Sequence, residues 1–231
     1  MCQAAEKWLA KSDNRMCVNQ DLHSLRTRSN RVLRYSAAST VLMIGLFLQA
    51  CFLACDRPQP DPENWPQVNE PFPYTRFLDA QGQVIDLKSF QGEKMVVLVV
   101  MRGFSGMVCP FCTEQTSQLI SHLNDFRGSG AELFLVYPGA SETIPRFVEA
   151  VKQGMNLTEA DPIDLPILLD VDLRAVAALG IEGNLSLPST FFISRDGNLV
   201  FRYIGTSPAD RPDTEDLLAR LKTMSGEQSA R

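Results

Sequence analysis

Histidine is scarce: the chain of 231 residues has two, His23 and His122. Beyond residue 55 it has two cysteines, Cys109 and Cys112, while the other four are Cys2, Cys17, Cys51 and Cys55. Both shortages exclude chemistry. A structural zinc site needs about four ligands. His122 stands ten residues past Cys112, ~15 Å along a helix at about 1.5 Å per residue. It reads as a surface histidine, and zinc or a C-x-x-x-C plus His copper site is set aside. No metal and no cofactor is expected. With no spare cysteine, any disulfide within residues 56–231 joins Cys109 to Cys112. Beyond residue 55, an excess of cations is missing too. Residues 56–231 hold fifteen Lys/Arg against twenty-four Asp/Glu, a balance of −9, while residues 1–55 hold seven against three. Binding phosphates needs clustered cations, so nucleic acid is excluded as a partner.

Charge is absent altogether from Tyr35 to Cys55. This apolar run follows Arg26, Arg28, Arg31 and Arg34, the basic-then-apolar order of a secretory signal. Its end, Leu48-Gln49-Ala50-Cys51, is similar to a bacterial lipobox, in which a small residue precedes the lipidated cysteine. Phe52-Leu53-Ala54-Cys55 is the alternative. An uncleaved anchor also fits, since about 20 apolar residues span a bilayer, and so does a cleaved signal. The basic region is long, as a start site assigned too far upstream would make it. Residues 56–71 (DRPQPDPENWPQVNEP) include five prolines, which oppose helix and sheet and suit a semi-rigid spacer or a plain join. The expected organisation is 1–55 as basic region and signal or anchor, 56–71 as linker, 72–224 as one domain and 225–231 as a tail. The location that follows is the extracytoplasmic side of a bacterial cell envelope, membrane-anchored.

Within the domain, Tyr74–Leu78 and Val84–Leu87 flank a turn at Asp79-Ala80-Gln81-Gly82. Met95–Met101 is a continuous apolar run, as in a strand buried on both faces. Leu119, Ile120, Leu123 and Phe126 give Thr113–Phe126 a helical spacing. Glu132–Tyr137 and Leu165–Leu169 read as strands, and Ile144–Val151 and Leu173–Leu179 as helices. Thr190–Ser194 and Leu199–Ile204 flank the hairpin signal Arg195-Asp196-Gly197-Asn198, and Thr214–Met224 closes as a helix. No internal repeat interrupts this order. It indicates an α/β domain with a central mixed sheet covered by helices on both faces, the order of the thioredoxin-like fold.

Cys109-Pro110-Phe111-Cys112 falls where the buried strand gives way, after a loop, to a helix. A thiol at a helix start meets unsatisfied N–H groups and the positive dipole end, which lower its pKa below roughly 8.5. Cys112 is one helical turn on, within reach for a disulfide, and Pro110 suits the first helical position. Cys109 is therefore the expected exposed nucleophile and Cys112 the buried resolving thiol. Leu187-Pro188-Ser189-Thr190 precedes the strand TFFIS. In the thioredoxin-like fold that this order resembles, a cis proline at this place packs beside the Cys pair, and its neighbouring backbone can pair with a substrate peptide. The resemblance implies a cis peptide before Pro188 and substrate contacts at Leu187 and Pro188. An ordinary loop proline is the plainer alternative.

Phe77-Leu78-Asp79 with Gly82 and Val84, then VVLVVMRGF, CPFC and PSTFFISRDGNLV, together resemble the redoxin family, which groups alkyl hydroperoxide reductase/thiol-specific antioxidant proteins with thioredoxin-like oxidoreductases. The resemblance covers about residues 72–224 and implies a redox site at the cysteine pair. It departs from peroxiredoxins in two places. Their Pro-x-x-x-Thr/Ser-x-x-Cys pattern would put Gly106 at the hydroxyl position if Cys109 is the peroxidatic residue, or Cys109 there and Ser105 at the proline if Cys112 is. Their peroxide-activating Arg falls on Pro188. Arg102-Gly103 resembles a subgroup with RG before CPxC. Arg102 either tunes a thiol pKa or is a solvated charge at a strand end. The expected activity is membrane-tethered thiol–disulfide exchange with protein thiols and disulfides or a membrane electron donor. The alternatives are a thiol peroxidase and a redox-inactive binding domain.

Overall fold

The computed structural model describes residues 61–229 apart from Ala140 and Asn184, all within the second of two units, Asp56–Arg231. The expectations placed on residues 1–60, including Cys51 and Cys55, lie outside the described residues. Among the described residues no helix is long and apolar enough to cross a membrane.

Seven strands form one mixed sheet. In chain order they are β1 (Arg76–Asp79), β2 (Val84–Asp86), β3 (Met95–Val100), β4 (Ala131–Pro138), β5 (Ile167–Asp170), β6 (Ser189–Ile193) and β7 (Leu199–Ile204). Across the sheet the order is β2-β1-β5-β4-β3-β6-β7. β3, β4 and β5 are parallel neighbours. β6 runs antiparallel to β3 and β7 antiparallel to β6, while β1 pairs antiparallel with β5 and with β2. The helices are α1 (Pro110–Ser121), α2 (Leu123–Gly128), α3 (Ile144–Gly154), α4 (Arg174–Ala178) and α5 (Thr214–Ser229).

The apolar run at β3 is explained by its two faces. Met95, Val97, Val99 and Met101 join a core with Leu119, Phe126, Phe147 and Leu221 from the helices on one side. Val96, Leu98 and Val100 join Phe72, Phe77, Val176 and Leu179 on the other. Alternate side chains of a strand point to opposite faces, so a strand covered twice needs apolar residues throughout. β6 repeats this with Phe191 on one face and Phe192 on the other. Each such ring contributes about 1.5–3 kcal/mol by leaving water.

Three expectations change. The helix expected over Thr113–Phe126 is two helices, because the backbone at His122 (φ −107°, ψ 10°) leaves the helical region. His122 then pairs with Asp125 at 2.9 Å and starts α2, which turns Phe126 into the core. The final helix continues past residue 224 to Ser229, with Ser225 donating to the Ser129 carbonyl at 3.0 Å. The third change is at the linker, which from Asp61 on lies against the domain. Asp61 caps a turn of 3-10 helix at Pro62–Asn64. The Trp65 indole donates to the Gly180 carbonyl at 3.2 Å. The Asn69 amide donates to the Leu199 carbonyl at 2.7 Å, and the Leu199 amide donates to the Glu70 carbonyl at 2.8 Å. The prolines prevent a full strand but leave these amides free to pair along β7.

Candidate functional site

The buried strand β3 ends at Val100, and residues 101–109 lead from it into α1. Two features fix this loop. Gly103 has φ +85°, and a Cβ there would stand 2.5 Å from the Pro138 carbonyl oxygen. Only glycine accommodates both the left-handed conformation and that approach. The Ser186 hydroxyl donates to the Met101 carbonyl at 2.5 Å, joining the end of β3 to the segment before Pro188.

Cys109 is the N-cap of α1, with extended backbone and Pro110 following at the first helical position. Its carbonyl accepts from the amides of Cys112 and Thr113, both at 3.1 Å. Both thiols are free; Cys109 is half-buried and Cys112 buried. The two sulfurs differ sharply. The Cys109 pKa is lowered to about 5, chiefly by the hydrogen bond from the Cys112 thiol, with the Cys112 amide, Arg211 and Arg102 adding to it against the cost of burial. The Cys112 pKa is raised, because its proton holds that hydrogen bond and because burial penalises its charge. Arg211 and the Arg102 amide oppose that rise. The pair thus favours one shared proton on the buried sulfur, with the charge on the outer one.

The Arg102 charge is the smallest of the influences lowering the Cys109 pKa, and at Cys112 it is the Arg102 backbone N–H, not the side chain, that opposes the rise.

Pro188 requires a correction. Its peptide bond is trans, where a cis bond is expected from the sequence. The neighbouring backbone is already bonded. The Leu187 amide donates to Ile181 O at 2.9 Å, and the Pro188 carbonyl accepts from Gly205 at 2.8 Å. The Leu187 carbonyl accepts the Ser189 hydroxyl at 3.0 Å, and the Pro188 ring faces Gly205. Trans is the cheaper isomer by about 0.5–1 kcal/mol. The Leu187 amide is thus engaged within the domain, and β6, which follows, is paired on both edges, by β3 and β7. The apolar surface beside the thiolate lies elsewhere: Met107 is 70% exposed and Phe111 41%.

Three residues at the site carry no motif. Arg211, in the loop before α5, donates to the Cys112 sulfur at 3.2 Å. The same guanidinium donates to Gln115 Oε1, and its Nε donates to the Pro208 carbonyl at 3.0 Å. Gln115 is itself buried, on the face of α1 that carries Cys112. Tyr137, buried at the end of β4, has its phenol pKa raised by burial first, against a hydrogen bond with Thr143 and with the charge of the cysteines adding to the rise. In the sequence, Arg211 is the sole cation between Arg202 and Arg220. That is a signal, though one without a partner until the chain folds. Among the described residues no three His, Cys, Asp or Glu side chains cluster as a metal site.

A parallel core extended by a hairpin, with a C-x-x-C dithiol at the start of the helix after β3, defines a thioredoxin-like redox domain. The AhpC/TSA family profile matches residues 68–202, and the chain belongs to that family. Solved structures with the same fold are peroxiredoxins. Peroxiredoxin 6 of Arenicola marina is 20% identical, with TM-score 0.58 over 68% of this chain and 73% of its own. The mitochondrial 2-Cys peroxiredoxin of Plasmodium falciparum is 16% identical, with TM-score 0.55 over 71% and 96%. The yeast mitochondrial 1-Cys peroxiredoxin is 14% identical, with TM-score 0.58 over 71% and 78%. No curated protein sequence matches the chain. Family and fold support thiol-based redox activity. Arg211 lies beyond the residues that the family profile matches.

Proposed function

We propose that the protein is a membrane-tethered thiol–disulfide oxidoreductase that exchanges disulfides through Cys109 and Cys112. The observation that carries this reading is the asymmetry of the pair. A thiolate at the helix start attacks a substrate disulfide, and a protonated thiol one turn behind it waits to resolve the product. Exposed Met107 and Phe111 give an unfolded or flexible protein segment an apolar place to rest beside Cys109. The partners are protein thiols and disulfides, or a membrane electron donor. Leu48-Gln49-Ala50-Cys51 supports lipidation at Cys51, with Cys55 the alternative, and hence an extracytoplasmic position in a bacterial envelope. Membrane partition of the native protein, and its loss in Cys51→Ser, tests that part; an intact N-terminus in a soluble fraction overturns it.

The second reading is a thiol peroxidase. It is favoured by the family and by a guanidinium at a site sulfur. Against it, a peroxidatic cysteine needs donors that stabilise charge on the departing oxygen. Gly106, or Cys109 itself if Cys112 is the peroxidatic residue, stands where peroxiredoxins resemble one another in a hydroxyl, and Pro188 where they carry Arg. The deciding experiment compares oxidation of the reduced protein by hydrogen peroxide and by a disulfide peptide. Faster oxidation by the peptide is expected. A peroxide kcat/KM within roughly 10⁴–10⁸ M⁻¹s⁻¹, with a sulfenic acid on one cysteine, promotes the peroxidase.

A further inference from the structure

We propose that Arg211 is the positioning residue that makes Cys112 a competent resolving nucleophile, by holding its sulfur and compensating the charge that sulfur acquires during attack. The proposal rests on the dithiol-exchange reading of Cys109 and Cys112.

The argument starts from burial. Cys112 is 2% exposed, so a thiolate formed there has almost no water to stabilise it. The first half of the reaction does not need one. Cys109–S⁻ attacks the sulfur bearing R in a disulfide R–S–S–R′, the Cys109–S–S–R bond forms as the substrate S–S bond breaks, and R′–S⁻ leaves with the electron pair and takes a proton from water. The second half does. Cys112 gives its proton to solvent, and its sulfur attacks the Cys109 sulfur of Cys109–S–S–R. The Cys109–Cys112 bond forms, and R–S⁻ departs and is protonated. Substrate gains two electrons, and the cysteine pair loses two.

Formation of the mixed disulfide itself changes Cys112. The thiolate that accepted its hydrogen bond is gone, and with it the largest cause of the raised pKa. Burial remains, and the charge facing it is Arg211. Its guanidinium stays protonated throughout, so it supplies no base. What it supplies is a fixed cation with a donor aimed at the sulfur, 3.2 Å away. Its aim is over-determined. Nε is held by Pro208 O and one Nη by Gln115 Oε1, and Met101 Sδ lies 3.9 Å from that Nη. The loop that carries it is closed by Asp210, which accepts from the Thr206 amide at 2.8 Å. Gly205 permits this closure, since a Cβ there would stand 2.1 Å from the Asp210 carbonyl oxygen. A guanidinium tied this firmly pays little entropy to stabilise a transient charge. In water-poor surroundings a charge-assisted donor counts for about twice a neutral one.

The test uses the full chain with Cys2, Cys17, Cys51 and Cys55 changed to Ser, reduced and mixed with 5,5′-dithiobis(2-nitrobenzoate). Attack by Cys109 releases one coloured thiolate, and resolution by Cys112 releases a second. Arg211→Gln is expected to leave the first phase within about threefold at pH 7, where Cys109 stays ionised. It is expected to slow the second about tenfold, with that phase's apparent pKa raised by about one unit. Arg211→Lys is expected to restore part of both. Should Arg211→Gln fail to fold, Gln115→Leu releases the guanidinium and is expected to slow the second phase about threefold with an upward pKa shift. A second-phase pH profile that superimposes on the parent's in the folded variants overturns the proposal. Absence of the first phase in the parent overturns the exchange reading instead, so the two failures are told apart.

Discussion

The phenol of Tyr203 donates to Asp210, whose other carboxylate oxygen accepts from the Thr206 hydroxyl at 2.9 Å. The bond joins β7 to the loop that leads to Arg211, and it keeps the Asp210 carboxyl below its usual range together with the Thr206 amide, which is the larger cause. Tyr203→Phe removes one partner and leaves the carboxylate to Thr206 and water. The site is partly exposed, so the expected loss is about 1 kcal/mol, read from the urea midpoint. A loss indistinguishable from zero would mean that Thr206 alone closes the loop.

Cys109 and Cys112 make separate contributions to pH dependence. Cys109 ionises near about 5 in the folded protein and near roughly 8.5 in an unfolded chain. Between these values the unfolded state binds more protons, so stability of the reduced protein rises with pH. That stability is complete above about 8.5 and lost as pH falls to about 5. Cys112 acts oppositely. Its folded pKa is raised, so above about 8.5 the unfolded thiol ionises first and stability falls. Denaturant titrations from pH 5 to 10 should show a maximum in the reduced protein, and a flatter lower limb in Cys109→Ser. A lower limb unchanged by that substitution removes the thiolate assignment.

The two cysteines should also fail differently. Cys109→Ser is expected to abolish exchange, and Cys112→Ser to accumulate mixed disulfides, visible on non-reducing gels and by mass. Iodoacetamide at mildly acidic pH should label Cys109 first, since it is both the more exposed and the more ionised. Faster labelling of Cys112 would falsify the order.

Much of this was legible in the sequence because it depends on local rules. The β3 run at Met95–Val100, the hairpin around Asp196-Gly197 and the thiol at the start of α1 follow from periodicity, turn chemistry and spacing. What escaped depends on pairs distant in sequence. Arg211 meets Cys112 across 99 residues and Gln115 across 96, and nothing in Asp210-Arg211-Pro212 announces either partner. The same applies to Pro188, whose surroundings include bonds to Ile181 and Gly205 that its own neighbours in sequence do not announce. His122 breaks a helix that the apolar spacing favours, its backbone lying outside the helical region, while Leu123 and Phe126 of the next helix are still buried.

Gly103 and Gly82 separate two costs that both fall on alanine. Both have positive φ, +85° and +78°, but a Cβ at Gly82 meets nothing within 4 Å while one at Gly103 meets Pro138 O at 2.5 Å. Gly82→Ala should cost about 1 kcal/mol, the strain alone. Gly103→Ala should cost about 3 kcal/mol, because the loop or the end of β4 must also shift. The shift would move the segment from Gly103 to Cys109, so alkylation of Cys109 should change in the second variant and not in the first. Equal stability losses would show that the loop yields freely.

Trp65 tests whether the proline-rich segment belongs to the domain. Its indole donates to Gly180 O at 3.2 Å, and the Arg202 guanidinium stands 5.8 Å over its ring. Arg202 in turn donates to the carbonyls of Trp65 and Pro66. Four residues on, Asn69 bonds to Leu199 O, and Phe72 reaches the core against Phe191 with ring centroids 5.5 Å apart. The segment is therefore fastened at both ends, by a half-buried ring at one and a buried one at the other. Trp65→Ala removes the first fastening only. The expected cost is about 1–2 kcal/mol, less than for a fully buried aromatic, and it should be local. Hydrogen exchange should quicken at the amides of Asn69 and Leu199, while those of β3 and β4 keep their protection. Phe72→Ala opens a cavity in the core and should cost about 3–5 kcal/mol, with faster exchange throughout. If Trp65→Ala leaves the Asn69 amide as protected as before, the prolines and Phe72 hold the segment, and the indole adds nothing to its docking.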